Sequence, residues 1–394
     1  MMGWTARWLF GVVGGARPGL MRRSFRRRPR RFPGVSYNET LSVGDEGGVM
    51  AEQVFMQEVR PDLYRVKVPL PNNPLVSCNS YFVLGPDKTT VIDVGFNHPE
   101  CERALDQALS ALGRSWETVE IVLTHSHSDH TGNLDRIWRR WMRIYANMHS
   151  FQEVKNLQNI QSTVYNPLLR HLVDPGEFDT NQQARDASQF EVSAELLPLR
   201  SQPDLYYLAD GDVYHNGDYH FHVITTPGHD DWHICLYEPK YKLLISGDHV
   251  LEHITPTIMS WVTSYDALRE FISSLDKVRD LDVDLILPGH GDPFTGLANR
   301  VDFLKGFHAK RLEELYDLVA DGHASIIDIA RSASWKHDNW DDWSLDQKFY
   351  SLGETFAHLV YLVNAGRVTM TICQNKRRFY VADQWDVRHR GGTC

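Results

Sequence analysis

The segment "LTHSHSDHTGN", Leu123 to Asn133, places His125, His127, Asp129 and His130 within six residues. Three later segments carry the same residue types singly: "TTPGH" with His229, "SGDH" with Asp248 and "LPGHG" with His290. Each follows an apolar, strand-like run, so each reads as a loop at a strand end. In open α/β sheets, sites form beyond the strand C-termini, where loops distant in sequence converge. Neutral imidazole and carboxylate, without thiolate, are ligands for Zn²⁺, Fe or Mn. Seven such groups suffice for two ions about 3.5–4 Å apart with a bridging hydroxide. Singly, a loop histidine is commonly solvated or capping, and an aspartate such as Asp248 commonly closes a turn. Their joint occurrence in four strand-end loops is what argues for a metal site.

The elements that must deliver these loops are legible around them. "LYRVKVPL" (63–70), "SYFVLG" (80–85) and "TTVIDVG" (89–95) read as strands, and "PECERALDQALSALG" (99–113) as an amphipathic helix stopped by Gly113. "VEIVLTH" (119–125) is a buried strand ending in the histidine cluster, and "GNLDRIWRRWM" (132–142) reads as a helix. "YHFHVITTPGH" (219–229), "WHICLYEP" (232–239), "YKLLISGDHVL" (241–251) and "VDLILPGHG" (283–291) read as strands, with a helix at 264–280. Helical patterns at 300–322 and 346–368 precede a β-hairpin at 368–383.

His-x-His-x-Asp-His followed by isolated His, Asp and His at strand ends resembles the metallo-β-lactamase-fold superfamily, over roughly residues 57–300. "TPGHDDWH" and "SGDH" look most like its glyoxalase II and lactamase-B-like hydrolase branch. The resemblance implies an α/β chain with the four-layer αββα metallo-β-lactamase fold. The last helices and hairpin are similar to the winged-helix-like appendage of some lactamase-B-like hydrolases. By position, the resemblance assigns His125, His127 and His229 to one ion and Asp129, His130 and His290 to another, with Asp248 bridging. It implies two divalent ions, Zn²⁺ first and Fe or Mn as alternatives. It also implies a hydrolase whose metal-bridging hydroxide attacks an ester, thioester or lactam-like carbonyl of a small molecule. Asp129 would also orient the nucleophile.

Residues beside the ligands take lesser roles. His233 and His249 are expected to hydrogen-bond to ligands or to lie in the fold, as is His253. Asp93 is expected to support a site loop, and Gly95, Gly228 and Gly289 to permit tight turns. The stretch 149–205 separates His130 from His229 and reads as a helical, lid-like insertion. There Tyr165, His171, Phe178 and Phe190 are candidates for substrate contact, or else are buried against the domain.

Composition bounds the rest. Residues 1–49 hold nine arginines and three acids, a balance of +6, which leaves −16 elsewhere against the total of −10. Residues 1–52 read as a basic disordered tail, a transit peptide or a non-native upstream extension. The last is favoured, with translation beginning at Met50. The expected organisation is a catalytic domain at 53–300, a winged-helix-like unit at 301–385 and a tail at 386–394. Cys78, Cys101, Cys235, Cys373 and Cys394 are scattered without a CxxC pair, which argues against a disulfide framework and for a reducing cytoplasm. No apolar run approaches the roughly 18 residues of a membrane span. The acidic body counts against nucleic acid as a partner, so Lys376, Arg377 and Arg378 read as a solvated turn. A homodimer is compatible with the sequence.

Two other activities compete. A persulfide dioxygenase of the glyoxalase II-like type would use one iron at His125, His229 and Asp248, leaving the remaining ligands unexplained. An RNA-processing nuclease would use the C-terminal unit. Flavodiiron oxidoreductases are disfavoured, because their motif has glutamate where His127 stands.

Overall fold

Leu63–Pro69 alternates buried and half-buried residues, as a strand covered on one side by a second sheet and on the other by a helix must. In the computed structural model the described residues are 54–149 and 204–383, apart from 72, 261, 337–338, 344 and 374–375. Residues 1–52, most of the 149–205 insertion with Tyr165, His171, Phe178 and Phe190, and the tail at 386–394 lie outside them.

The first sheet has seven strands ordered as in the chain: β1 (Met56–Arg60), β2 (Leu63–Pro69), β3 (Ser77–Leu84), β4 (Thr89–Ile92), β5 (Val119–Val122), β6 (Ile144–Ala146) and β7 (Leu205–Tyr207). β1 to β4 pair antiparallel, and β4 to β7 pair parallel. The second sheet runs β12-β11-β10-β9-β8, from β8 (Val213–Asn216), β9 (Tyr219–Thr225), β10 (Ile234–Glu238), β11 (Leu243–Gly247) and β12 (Leu285–Pro288).

Three apolar clusters define four layers. Leu63, Tyr81, Ile92 and Val122 of the first sheet meet Phe221, Val223, Leu236, Ile245 and Leu287 of the second. The outer face of the first sheet, with Val66, Phe82 and Ile121, packs on Leu105 and Leu109 of α1 (Pro99–Ala111). The outer face of the second, with Cys235, Leu244 and Ile286, packs on Phe271 and Leu275 of α4 (Ala267–Arg279) and Val301 and Leu304 of α5 (Leu297–Ala320). Each such side chain contributes about 1.5–3 kcal/mol on burial, and together they hold the sheets face to face. This is the αββα arrangement expected.

Helix ends follow local chemistry. The His98 side chain caps α1 by accepting the Glu100 N–H, Pro99 opens the helix, and Glu100 and Glu102 complement its dipole. Asp266 caps α4 by accepting the Arg269 N–H.

The helix expected over 132–142 is not formed as such. Ser128–Thr131 (α2) and Leu134–Ile137 (α3) are single turns, and Trp138 is extended. The chain leaves the helical path there because it must return within a few residues to enter β6 beside β5. Short elements without a strong pattern were not anticipated: β1, β6, β7, β8 and α6 (Ile326–Ser332).

α5 runs unbroken through residue 300, and α6, α7 (Leu345–Asn364) and the hairpin β13 (Val368–Cys373) and β14 (Lys376–Val381) join the same apolar cluster as the second sheet. Arg377 lies half-buried over the Phe356 ring, 5.0 Å from its centroid, rather than in a solvated turn. Cys78, Cys101 and Cys235 are free and buried, while Cys373 is disulfide-bonded, which the scattered spacing did not anticipate. Among the described residues no helix is long and apolar enough to cross a membrane.

Candidate metal centre

The seven predicted ligands converge from both sheets. His125 follows β5, and His127, Asp129 and His130 follow on the turn of α2. His229, Asp248 and His290 follow β9, β11 and β12. Two triads have ligand atoms all within 4.8 Å of one another: His125, His127 and His229, and Asp129, His130 and His290. Asp248 lies between them. Its Oδ2 is 3.7 Å from His229 Nε2 and 3.3 Å from His290 Nε2, and its Oδ1 is 3.6 Å from His130 Nε2.

Four of the five histidines are held by Nδ1. His125 Nδ1 is 3.0 Å from Thr124 Oγ1 and His130 Nδ1 is 2.8 Å from Asp93 Oδ2. His229 Nδ1 donates to Thr257 O at 2.9 Å, and His290 Nδ1 to Ser77 O at 2.9 Å. A neutral ring that spends its proton this way offers the Nε2 lone pair to the centre, the usual means of orienting a metal-binding imidazole.

The residues fit metal ions on three counts. His229 Nε2 and Asp248 Oδ1 are buried with no hydrogen-bond partner, which is costly unless something else satisfies them. His125 Nε2 and His127 Nδ1 stand 3.1 Å apart, and His130 Nε2 and His290 Nε2 3.3 Å apart. Tetrahedral Zn–N bonds of 2.0–2.1 Å put ligand nitrogens about 3.3 Å apart. The donors are imidazole and carboxylate only.

The electrostatics divide the histidines by triad. Burial opposes the charge on His130 and His290, but Cys78, Asp248, Asp93 and Asp129 around the first, and Asp248 and Asp129 around the second, hold both well above the ordinary imidazole value. Burial and the rings of His130 and His127 hold His125 well below it, and burial with His127 lowers His229 to about 4.

Asp93 takes the supporting role expected. Its backbone is left-handed, at φ 60°, and its carboxylate accepts the Thr124 N–H and hydroxyl at 2.8 and 2.7 Å. Its carboxylate also lies within 4.8 Å of ring nitrogens of His125 and His130, but its oxygens already serve Thr124 and His130. His233 accepts the Asp248 N–H at 3.1 Å through Nε2, while its Nδ1 meets Thr226 Oγ1 at 2.7 Å. His249 is buried with neither ring nitrogen hydrogen-bonded, edge-on to Phe271, and touches no ligand side chain by hydrogen bond. His253 is exposed beside Glu252.

Gly95 and Gly228 have positive φ, as tight turns require. Gly289 has another reason: a Cβ there would stand 2.3 Å from Asp248 Oδ1 and 2.9 Å from His130 Cε1.

Sequence reasoning missed Thr124, Ser77 and Thr257, which hold ligand rings, Thr226, which holds His233, and the buried Arg65, Asn79 and Tyr81. Only Arg65 left a trace, as a charged residue between the apolar residues of a strand. Ser126 donates to Asp230, tying the His125–His130 loop to the loop of His229.

The sequence profile described as the metallo-beta-lactamase superfamily matches residues 73–290. The chain is 29% identical over 254 residues to the "Probable metallo-hydrolase YqjP" of Bacillus subtilis, covering 60% of this chain and 73% of that protein. It is 28% identical over 230 residues to the human "Acyl-coenzyme A thioesterase MBLAC2", covering 55% and 74%. A crystal structure of a metallo-beta-lactamase family protein from Thermus thermophilus superposes with a TM-score of 0.67 at 25% identity, covering 82% of this chain and all of that one.

Proposed function

The chain belongs to the metallo-beta-lactamase superfamily, and from that premise we propose that it is a two-ion hydrolase of a small-molecule carbonyl compound, with thioesters as the first substrate class. The observation that carries this reading is the position of Asp248, one carboxylate within 3.3–3.7 Å of histidines from both triads. His125, His127 and His229 would hold one ion, Asp129, His130 and His290 the other, and Asp248 both. Zn²⁺ is the leading candidate, with Fe or Mn as alternatives. Such a pair lowers the pKa of water toward neutrality and polarises a carbonyl oxygen.

The chain's own residues do the remainder. The Nδ1 hydrogen bonds of His125, His130, His229 and His290 fix ring orientation before any ligand arrives. Asp129, whose side chain is 15% exposed, reaches solvent and can orient an attacking water. The thioester preference is supported by the human relative's name. The complete second triad is the reason the single-iron dioxygenase reading is set aside. The division at 300/301, with a winged-helix-like unit after it, and a possible homodimer remain part of the proposal.

The test is metal analysis of purified protein beside a panel of acyl thioesters, lactones and β-lactams. Two ions per chain with thioester hydrolysis is the expected result. A His127→Ala, Asp248→Ala double variant that keeps full hydrolysis would overturn it.

A further inference from the structure

His290 sits between two glycines, and Gly291 has φ 82°. Neither neighbour restricts the backbone, so the place of this imidazole must be set from outside its own loop. The flanking carbonyls are all held by the first sheet, although the loop leaves β12 of the second. Tyr81 OH donates to Pro288 O at 2.7 Å. Asn79 Nδ2 donates to Pro288 O and Gly291 O, each at 2.8 Å, and the Asn79 N–H donates to Gly289 O at 2.7 Å. Arg65 Nη2 donates to Gly291 O at 2.6 Å and to Asp292 at 2.9 Å. Arg65 Nε donates to Asn79 Oδ1 at 2.8 Å, which fixes which way the amide faces.

All three side chains are almost wholly buried, at 1–2% exposure. A buried guanidinium is tolerated only when its donors are satisfied. Here they are spent on the loop that carries His290. His229, in the other triad, is oriented by Thr257 instead and touches none of this network.

We propose that Arg65, Asn79 and Tyr81 are positioning residues for His290, and that they set the affinity of the ion held by Asp129, His130 and His290 without setting that of the other ion. The inference rests on the two-ion reading above. It assigns to β2 and β3 a role in distinguishing the two ions, since the clamp reaches one triad only.

The test is titration of metal-free protein with Co²⁺, followed by calorimetry and by visible absorbance, which reports each coordination environment separately. Tyr81→Phe removes one hydrogen bond at constant shape and is expected to weaken the Asp129/His130/His290 ion by about threefold to tenfold. Asn79→Ala removes the side-chain grip and is expected to weaken it by about 10–100-fold, the range for outer partners of metal ligands. The other ion is expected to hold its affinity within about twofold. Circular dichroism and thermal melts establish that each variant folds, and if Asn79→Ala does not, Tyr81→Phe decides. Unchanged affinity for both ions in the folded variants overturns the proposal. Equal weakening of both ions also overturns it, because that marks a general structural role. Fewer than two ions on the unaltered protein overturns the two-ion reading, and this inference with it.

Discussion

Asp93 Oδ2 and His130 Nδ1 meet at 2.8 Å, so the His130 ring is anchored by one nitrogen while the other points at Asp248 and His290. Asp93 makes this contact from a left-handed backbone position while also accepting both donors of Thr124. One carboxylate thereby orients the histidine of one triad and the residue beside the first histidine of the other.

Asp93→Asn keeps the size but puts an amide donor or a weaker acceptor against His130 and Thr124. The expected outcome is a loss of about 10–100-fold in affinity for the ion held with His130. Competition against a chromogenic chelator measures it. Unchanged affinity would remove Asp93 from the site's support.

Gly289→Ala tests close packing at the centre. The added methyl would overlap Asp248 Oδ1 and His130 Cε1, so a ligand must move. Displacement of about 1 Å at reacting groups costs about 100-fold in rate. A fall of that order in kcat, with an unaltered circular dichroism spectrum, is expected. A variant with parental kcat would show that the site has slack which the distances deny.

Ion removal has both a catalytic and a stability readout. Dialysis against a chelator is expected to abolish hydrolysis and lower the melting temperature, and Zn²⁺ to restore both. An ion at 1,000 times its dissociation constant stabilises by about 4 kcal/mol. A chelated protein with parental activity would contradict the proposed chemistry.

His308 on α5 and His358 on α7 form a buried pair, Nδ1 to Nε2 at 3.1 Å, away from the centre. Phe271 lies edge-on to His308, Arg311 is near, and His358 Nδ1 donates to Glu354 O. Burial, with His358 and Arg311, holds His308 well below the ordinary imidazole value, and burial lowers His358 to about 3. Both rings are neutral when folded, whereas the unfolded chain takes up protons near pH 6.5. The pair's contribution is fully present above about pH 6.5 and is lost as pH falls from there toward 3. Urea unfolding from about pH 7.5 to 4.5 should show stability declining over this window. His308→Leu with His358→Leu should reduce the slope by up to about two protons. An identical slope in the double variant would assign the acid sensitivity elsewhere.

What the sequence made legible was the chemistry-bearing loops and the long elements beneath them. His125 to His130, His229, Asp248 and His290 stand out because metal-binding types recur where apolar runs stop. α1, α4, α5 and α7 stand out because their apolar spacing is long and regular. The residues that aim the ligands carried no such mark. Thr124, Thr257 and Ser77 are ordinary loop and strand residues, and two of the three bonds to ligand rings come from backbone carbonyls, which no side-chain pattern encodes. Asn79 and Tyr81 lie in a strand, and their importance comes from the opposite sheet. The helix expected over 132–142 failed for a related reason: its end is dictated by where β6 must start, not by its own residues.

The seven groups are divided between the sheets: four follow β5 and three follow β9, β11 and β12. Neither half of the sandwich alone presents a complete triad together with Asp248. A nascent or partly unfolded chain, with one sheet formed, therefore offers only fragments of coordination. On the two-ion reading, complete coordination of either ion waits until the two halves have closed, so a fully loaded centre would mark a molecule that has completed that closure.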